Sequence, residues 1–504
     1  MLISQIFAPV ALKNGAKIAF KYLDNGYTYK DFWETSSRFS YYLQKEIGHG
    51  LRVGLWMSAC PQLACSIIAL TNTKSCVVPL NPTAVPADNL FKIKDAGITV
   101  ILCSSDHLKA LNTLLRENGL SAIKVIDIES KRCAEYDPTY SPPAAHVPVE
   151  KDEILLLYTP GTSGKVKGCL FNHTALIQAV NSVKMAAKLN GTDTVFTQYP
   201  YSDSFNLIHF LLAPLAAGAS VLLSDHTEPP AVLSQLVEQR VTRMAPLVRE
   251  LEGLLTFSIE NKIPIVPLKF FCIDNQLPFE KPFWDLLKRA CKVAILNSYG
   301  LTEYLGTVAM SSPDTPVDAA KPGFLGPAVT AAKLRLVDDG NDEIDKKKPQ
   351  LGHLLVMGPQ LMSKYLNLPE EQKFAVRGTW LHTGDIVAID SEGRVTFHDR
   401  KNDMVTVAGK KVKPREIEPV VRTIPQVAEC AFIGTGDRLG KPITAVVIER
   451  VAGAKLNEVE VREHLKTRLP VQKMPGAIFF TDVMPRTPNG VINRGKLRSL
   501  FDGA

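Results

Sequence analysis

The chain has 504 residues, 45% hydrophobic and 22% charged, with 58 basic residues against 51 acidic ones for a formal net charge of +7. That length exceeds what one ordinary core organises and predicts two or more domains. The mild, dispersed positive balance argues against nucleic acid as a partner. The opening residues 1–7 lack a basic start, and no stretch reaches the roughly 18 consecutive apolar residues of a membrane span, so a cytoplasmic protein without a span is expected. Nine cysteines are scattered without a Cys-x-x-Cys pair, which favours buried free thiols over disulfides or a zinc site.

Up to about residue 130, apolar runs at 53–57, 76–80 and 100–102 alternate with helical patterns, one of them ending near Lys74. That alternation predicts a largely parallel sheet covered by helices. Pro142, Pro143 and Pro148 mark a surface connection into the apolar run 154–158, read as a buried strand. There Thr159-Pro160-Gly161-Thr162-Ser163-Gly164-Lys165-Val166-Lys167-Gly168 packs three glycines, three hydroxyls and two lysines into one turn. Glycines admit backbone N–H groups to an anion, hydroxyls donate to phosphate oxygens, and lysines supply compensating charge. The turn reads as a phosphate-handling loop, with a plain exposed turn as the alternative on this stretch alone. Its spacing is not that of the commonest nucleotide loop, which needs Lys-Ser or Lys-Thr after the last glycine. A helix is expected from near His173.

A second strand–helix series follows, with strands at 195–197, 220–223, 270–273 and 294–296. From about residue 325 the strands shorten around turns at 338–340 and 390–393, as in a small β-rich subdomain. The last hundred residues form another small α/β pattern from the charged turn 399–403. No fixed-period repeat and no low-complexity tract is present.

Three further segments carry chemistry. Asn297-Ser298-Tyr299-Gly300-Leu301-Thr302-Glu303 follows a strand and offers a hydroxyl beside a carboxylate. Thr302 there would meet a phosphate and Glu303 would hold Mg²⁺ with phosphate oxygens completing the shell; an ordinary helix start is the alternative. Trp380-Leu381-His382-Thr383-Gly384-Asp385 puts a carboxylate at the end of a turn, either to accept from both ribose hydroxyls or simply at the surface. Asp399-Arg400-Lys401-Asn402-Asp403, followed by Gly409 to Glu418, reads as a charged linker.

In this order the segments resemble the acyl-adenylate-forming superfamily: acyl- and aryl-coenzyme A synthetases, firefly luciferase and the adenylation domains of peptide synthetases. The resemblance spans nearly the whole chain, and Gly358-Pro359-Gln360-Leu361-Met362 with Tyr365-Leu366-Asn367 looks most like the plant coumarate ligase and luciferase branch. It implies an α/β fold. A large N-terminal domain of doubly wound sheets with a small β-rich subdomain (1–398) precedes a small mobile α/β C-terminal domain (399–504). It also implies ATP and Mg²⁺, a small carboxylic acid substrate, and coenzyme A, an acyl carrier protein or an amine as acceptor. By the match, Thr159, Gly161, Thr162, Ser163, Gly164 and Lys167 belong to the phosphate loop. Asn297, Ser298, Tyr299 and Gly300 surround the adenine, with Asn297 and Tyr299 framing it, Thr302 contacts the α-phosphate, and Glu303 is the metal-side carboxylate. Asp385 and Arg400 bind ribose, Asn402 is the hinge, and Gly409 approaches the thiol's tunnel.

The chain departs from the family at several positions. The final motif reads Pro485-Arg486-Thr487-Pro488-Asn489-Gly490-Val491, with valine where the family has the lysine that bridges substrate carboxylate and α-phosphate. Loss of one preorganised cationic donor typically costs on the order of 10²- to 10³-fold in rate. Pro160 stands where a serine is usual, removing a hydroxyl and a backbone donor. In the acid pocket, Tyr201, Asp203, Phe205 and Asn206 replace an aromatic-His pattern, and Asp274 and Asn275 replace glycines, so a narrower or more polar pocket is expected. Asp203 and Asp274 either recognise a substrate amine or hydroxyl or are bonded structurally. Three functions stand open: a full ligase, a nucleotide- or acyl-adenylate-binding protein with weak or absent adenylation, and a protein that retains only acyl transfer.

Overall fold

The computed structural model describes residues 1–130, 147–159, 166–274, 281–317, 323–344, 351–403, 405–407, 410–436, 442–486 and 492–502. Two large sheets carry the N-terminal part. The eight-stranded one runs Gly306–Met310, Ala294–Leu301, Phe270–Asp274, Arg243–Ala245, Thr194–Thr197, Ser220–Leu223, Ile18–Tyr22, Asn25–Thr28. The seven-stranded one runs Lys364–Tyr365, Gly168–Asn172, Glu153–Tyr158, Cys76–Leu80, Arg52–Trp56, Val100–Cys103, Lys124–Asp127. Their central strands pair in parallel and are near-continuous apolar runs, as sheets covered on both faces require. Leu155, Leu157 and Phe171 of one sheet and Val195, Val221 and Leu296 of the other share one core. Leu176 and Val180 of the Ser-poor helix His173–Ala186 and Ile67 and Leu70 of Pro61–Asn72 fill the space between.

A mostly antiparallel sheet of Phe324–Pro327, Arg394–Arg400, Trp380–Ile389, Leu351–Met357 and Lys333–Val337 forms the β-rich part, with Val376–Arg377 on the Trp380–Ile389 strand. Beyond residue 404 a hairpin (Val405–Val407, Lys410–Val412) and a three-stranded sheet (Val427–Gly436, Pro442–Arg450, Ala477–Thr481) carry cores of their own. The described cysteines are free, and all but Cys291 are buried. No described helix is long and apolar enough to cross a membrane.

The glycine-rich loop joins two antiparallel strands, Glu153–Tyr158 and Gly168–Asn172, and the helix expected from near His173 begins there. Three local expectations are corrected. The Asn297 motif does not follow its strand but lies within it, because Ala294–Leu301 continues to pair with Gly306–Met310 after the apolar run ends. Asp385 is not at the end of a turn. It lies inside the ten-residue strand Trp380–Ile389, where the register against Leu351–Met357 shifts between His353 and Leu355. Gly384 adopts a φ of 77° there, a left-handed geometry that glycine reaches at little cost and that makes a bulge rather than a reversal. Arg400 likewise ends a strand, and the turn proper is Lys401–Asp403.

Candidate functional site

The site residues gather at the carboxyl ends of parallel strands, where open α/β sheets bind ligands. Phe270–Asp274 and Ala294–Leu301 run parallel in one sheet. In the other, Glu153–Tyr158 runs parallel to Cys76–Leu80 and leads into the glycine-rich loop.

One cluster forms around Asp385, whose side chain is 1% exposed. Its Oδ2 accepts from the Tyr299 hydroxyl at 2.5 Å and its Oδ1 from Arg400 Nε at 3.0 Å. Asp385 and Arg400 are direct partners on antiparallel strands, so the ion pair follows from register. Thr383 fixes the bulge: its hydroxyl donates to Leu354 O and accepts from the Asp385 N–H. Burial pushes the Asp385 carboxyl up, opposed by the Arg400 charge and by the Tyr299 and Arg400 hydrogen bonds. Asp385 in turn is the main cause holding the Arg400 guanidinium above its ordinary range. Two strand positions before Tyr299, buried Asn297 donates through Nδ2 to Phe324 O at 3.3 Å, while its buried Oδ1 has no partner among the described residues. An orphaned buried acceptor on the strand carrying Tyr299 fits a ligand with an N–H to give, such as an adenine amine. Gly300 is sterically required: a Cβ there would lie 2.0 Å from Gly306 O.

The second cluster closes the stem of the loop. The Thr159 N–H donates to Lys167 O at 2.9 Å, and the Lys167 N–H donates to Thr159 Oγ1 at 3.1 Å. Lys167 Nζ stands 3.7 Å from Glu303 Oε1, and the Tyr365 hydroxyl bonds both groups. Thr302 and Glu303 lie in the single 3₁₀ turn Thr302–Tyr304, so the alternative of a full helix start does not hold. Among the described residues no group of three or more His, Cys, Asp or Glu could hold a metal ion. A lone carboxylate beside a candidate phosphate loop nonetheless fits Mg²⁺, which takes one or two protein carboxylates and completes its shell with phosphate oxygens and water.

The acid-pocket residues sort differently. Asp203 caps a short helix, accepting from the Asn206 N–H at 3.0 Å and from Asn206 Nδ2 at 2.8 Å. Asn206 Oδ1 accepts from Thr197 at 2.7 Å. Asp203 and Asn206 are thus bonded to each other, whereas the side chain of half-buried Asp274 makes no hydrogen bond among the described residues. Burial first, then the Asp203 charge, push the Asp274 carboxyl up to about 7, opposed by Arg400. Tyr201 is buried. Phe205 packs on His209, ring centroids 4.5 Å apart, and His209 Nε2 is 2.6 Å from Thr307 Oγ1 and 3.4 Å from Ser298 Oγ. His209 lies in a π-helical turn, Ile208–Leu212, a distortion frequent at functional sites.

Sequence reasoning missed His209, Thr307 and the contacts of Tyr365. A lone histidine in the apolar stretch 207–216 was the available signal for the first; the tyrosine was noted only as part of a family motif. Gly161, Thr162, Ser163, Gly164, Asn275, Gly409 and Val491 lie outside the described residues. Asn402 falls in the Lys401–Asp403 turn.

Doubly wound sheets, a β-rich sheet delivering Asp385 and Arg400 to Tyr299, and a small C-terminal α/β part together define an adenylate-forming fold. The chain belongs to the AMP-binding enzyme family: the family model matches residues 7–366, and the model of the AMP-binding enzyme C-terminal domain matches residues 416–490. It is 27% identical over 518 residues to a long-chain-fatty-acid–CoA ligase of Escherichia coli O6:H1, covering 95% of this chain and 91% of the relative. It is 30% identical over 350 residues to an indoleacetate–CoA ligase of Aromatoleum aromaticum, covering 69% and 67%. The crystal structure of an anthranilate CoA ligase with anthranoyl-AMP superposes with a TM-score of 0.84 at 22% identity, covering 100% of this chain and 97% of that one.

Proposed function

We propose that this protein is an ATP-dependent ligase that joins a small carboxylic acid to a thiol, coenzyme A or a carrier protein, or to an amine. A carboxylate oxygen attacks the α-phosphorus of ATP, the bond to the β-phosphate oxygen breaks, and pyrophosphate leaves with the electron pair. The acceptor then attacks the acyl carbonyl of the acyl-AMP and AMP leaves. The observation that carries this reading is that the strand Ala294–Leu301 and the turn after it carry members of both clusters, Asn297 and Tyr299 with Asp385 and Arg400 and then Glu303 with Lys167, in a chain of this family.

In this reading Asn297 accepts from the adenine amine and Asp385 with Arg400 binds ribose. Thr302 contacts the α-phosphate, and Thr159, Gly161, Thr162, Ser163, Gly164 and Lys167 hold the other phosphates. Glu303 would hold Mg²⁺, which supplies neutralising charge where an anion attacks an anion. Asp274 faces the acid, and residues 399–504 swing about Asn402 between the two half-reactions. The ligase names of the relatives agree with a carboxylic acid substrate, and a cytoplasmic setting supplies ATP and coenzyme A.

Val491 favours a second reading, in which nucleotide or acyl-adenylate binds but adenylation is weak or absent, or acyl transfer alone persists. Supplying a synthetic acyl-adenylate with coenzyme A or hydroxylamine separates the two. Acyl transfer without acid-dependent pyrophosphate release supports the second; release with any acid in a panel supports the first.

A further inference from the structure

The residues 362–366 tie the two candidate clusters' sheets together. The Lys364–Tyr365 strand pairs with Gly168–Asn172 at the loop's stem. The Leu366 N–H donates to Gly168 O at 2.8 Å, and the Met362 N–H donates to Glu303 O at 2.9 Å. The Tyr365 ring is therefore fixed by backbone on both flanks before its hydroxyl makes any contact.

That hydroxyl bridges an ion pair from one side. It accepts from Lys167 Nζ at 3.1 Å and donates to Glu303 Oε1 at 2.6 Å, while lysine and carboxylate stand 3.7 Å apart. The ammonium also lies 4.6 Å from the Tyr365 ring centroid, a cation–π distance. Burial and the Glu303 carboxylate push the phenol far above its ordinary range, so it remains a donor. A directly bonded Lys–Glu pair would spend both charges on each other, because charge-assisted hydrogen bonds are short and strong. With the pair held at 3.7 Å, beyond direct hydrogen-bond reach, one bond joins each charge to the neutral phenol. Among the described residues, the other carboxylate oxygen and the remaining ammonium protons have no hydrogen-bond partner.

We propose that Tyr365 is a positioning residue that acts as a neutral spacer, keeping the Lys167–Glu303 ion pair from closing to a direct hydrogen bond so that both groups stay open to phosphate and Mg²⁺. This rests on the roles given above to Lys167 and Glu303. Without the hydroxyl, Lys167 closes onto Glu303 and Mg²⁺ must displace it.

Calorimetric binding of α,β-methylene-ATP to the full chain, in Mg²⁺ and in EDTA, tests this without turnover. The parent binds more tightly with Mg²⁺. Tyr365→Phe is expected to lose most of that gain, roughly tenfold for one charge-assisted contact, while its affinity in EDTA and its Tm stay near the parent's. Lys167→Met removes the collapsing partner, so adding Tyr365→Phe to it should lower the gain no further. Tyr365→His, a ring with its own donor and acceptor, should keep the gain and serves where the phenylalanine variant does not fold. Glu303→Gln separates the two claims. If it keeps the parent's Mg²⁺ gain, the metal role of Glu303 is wrong. If it loses the gain and Tyr365→Phe keeps it, or if Tyr365→Phe lowers only Tm, the spacer is wrong.

Discussion

Replacing Asp385 by asparagine probes the proposed nucleotide site with little change of shape. The parent carboxylate satisfies Tyr299 at 2.5 Å and Arg400 at 3.0 Å, and each oxygen retains a lone pair for a ribose hydroxyl. Asparagine keeps one acceptor oxygen, removes the charge and turns an N–H₂ toward one of the two donors. A hydrogen bond to a charged group contributes about 1.5–3 kcal/mol, so losing one such acceptor weakens AMP by roughly 10- to 150-fold. The same change leaves half-exposed Arg400 without its counter-charge and lowers stability by about 2 kcal/mol. Titration calorimetry with AMP, 2′-deoxy-AMP and 3′-deoxy-AMP measures the first effect and urea unfolding the second. The parent should discriminate against both deoxynucleotides, and Asp385→Asn should discriminate far less. A variant that loses stability yet binds AMP with the parent's affinity and discrimination would make Asp385 a structural ion pair only.

Three further outcomes follow from the same geometry. Asp274, whose carboxyl is raised from 3.8 to about 7 by burial, binds its proton more tightly folded than unfolded. It therefore imposes no cost below pH 4, a growing one as pH rises, and its full cost above 7. Asp274→Asn should match the parent at pH 4 and exceed it by on the order of 1–3 kcal/mol at pH 8 in urea unfolding; a constant difference across that range would refute the assignment. His209 runs the other way: burial lowers it from 6.5 to about 3, so stability is complete above pH 6.5 and lost as pH falls. His209→Gln should remove about 3 kcal/mol of the parent's loss between pH 6.5 and 4, read as a flatter Tm-versus-pH curve, and an unchanged curve would contradict it. Gly300→Ala forces a Cβ to 2.0 Å from Gly306 O. It should cost roughly 3 kcal/mol or more and lower nucleotide affinity with it; near-parent Tm would show that the strand pair yields.

Much of the fold was legible because its strands are buried on both faces and therefore read as unbroken apolar runs bounded by glycine and proline. Residues 154–158 and 220–223 are examples. What misled local reading was polar sequence inside strands. Asn297 to Gly300 and Thr383 to Asp385 look like loops because they are polar or glycine where a core strand would be apolar, and Gly384 signals a bulge and a turn with the same letter. The site itself was legible as separate motifs. The joining of Tyr299 to Asp385 and of Lys167 to Glu303 through Tyr365 depends on pairings across 86, 62 and 198 residues, which no local pattern carries. Asp203 shows the converse. Its chemistry suggested recognition of substrate, and the helix it caps uses both of its oxygens.

The most direct test of the account is pyrophosphate release by the purified full chain with ATP and Mg²⁺ across a panel of aliphatic, aromatic and amino-substituted carboxylic acids. Val491→Lys is run in parallel. The account predicts acid-dependent release with at least one acid, stoichiometric with an acyl-AMP or its thioester, and faster release by Val491→Lys. No acid-dependent release from either protein, with ATP bound, would contradict it.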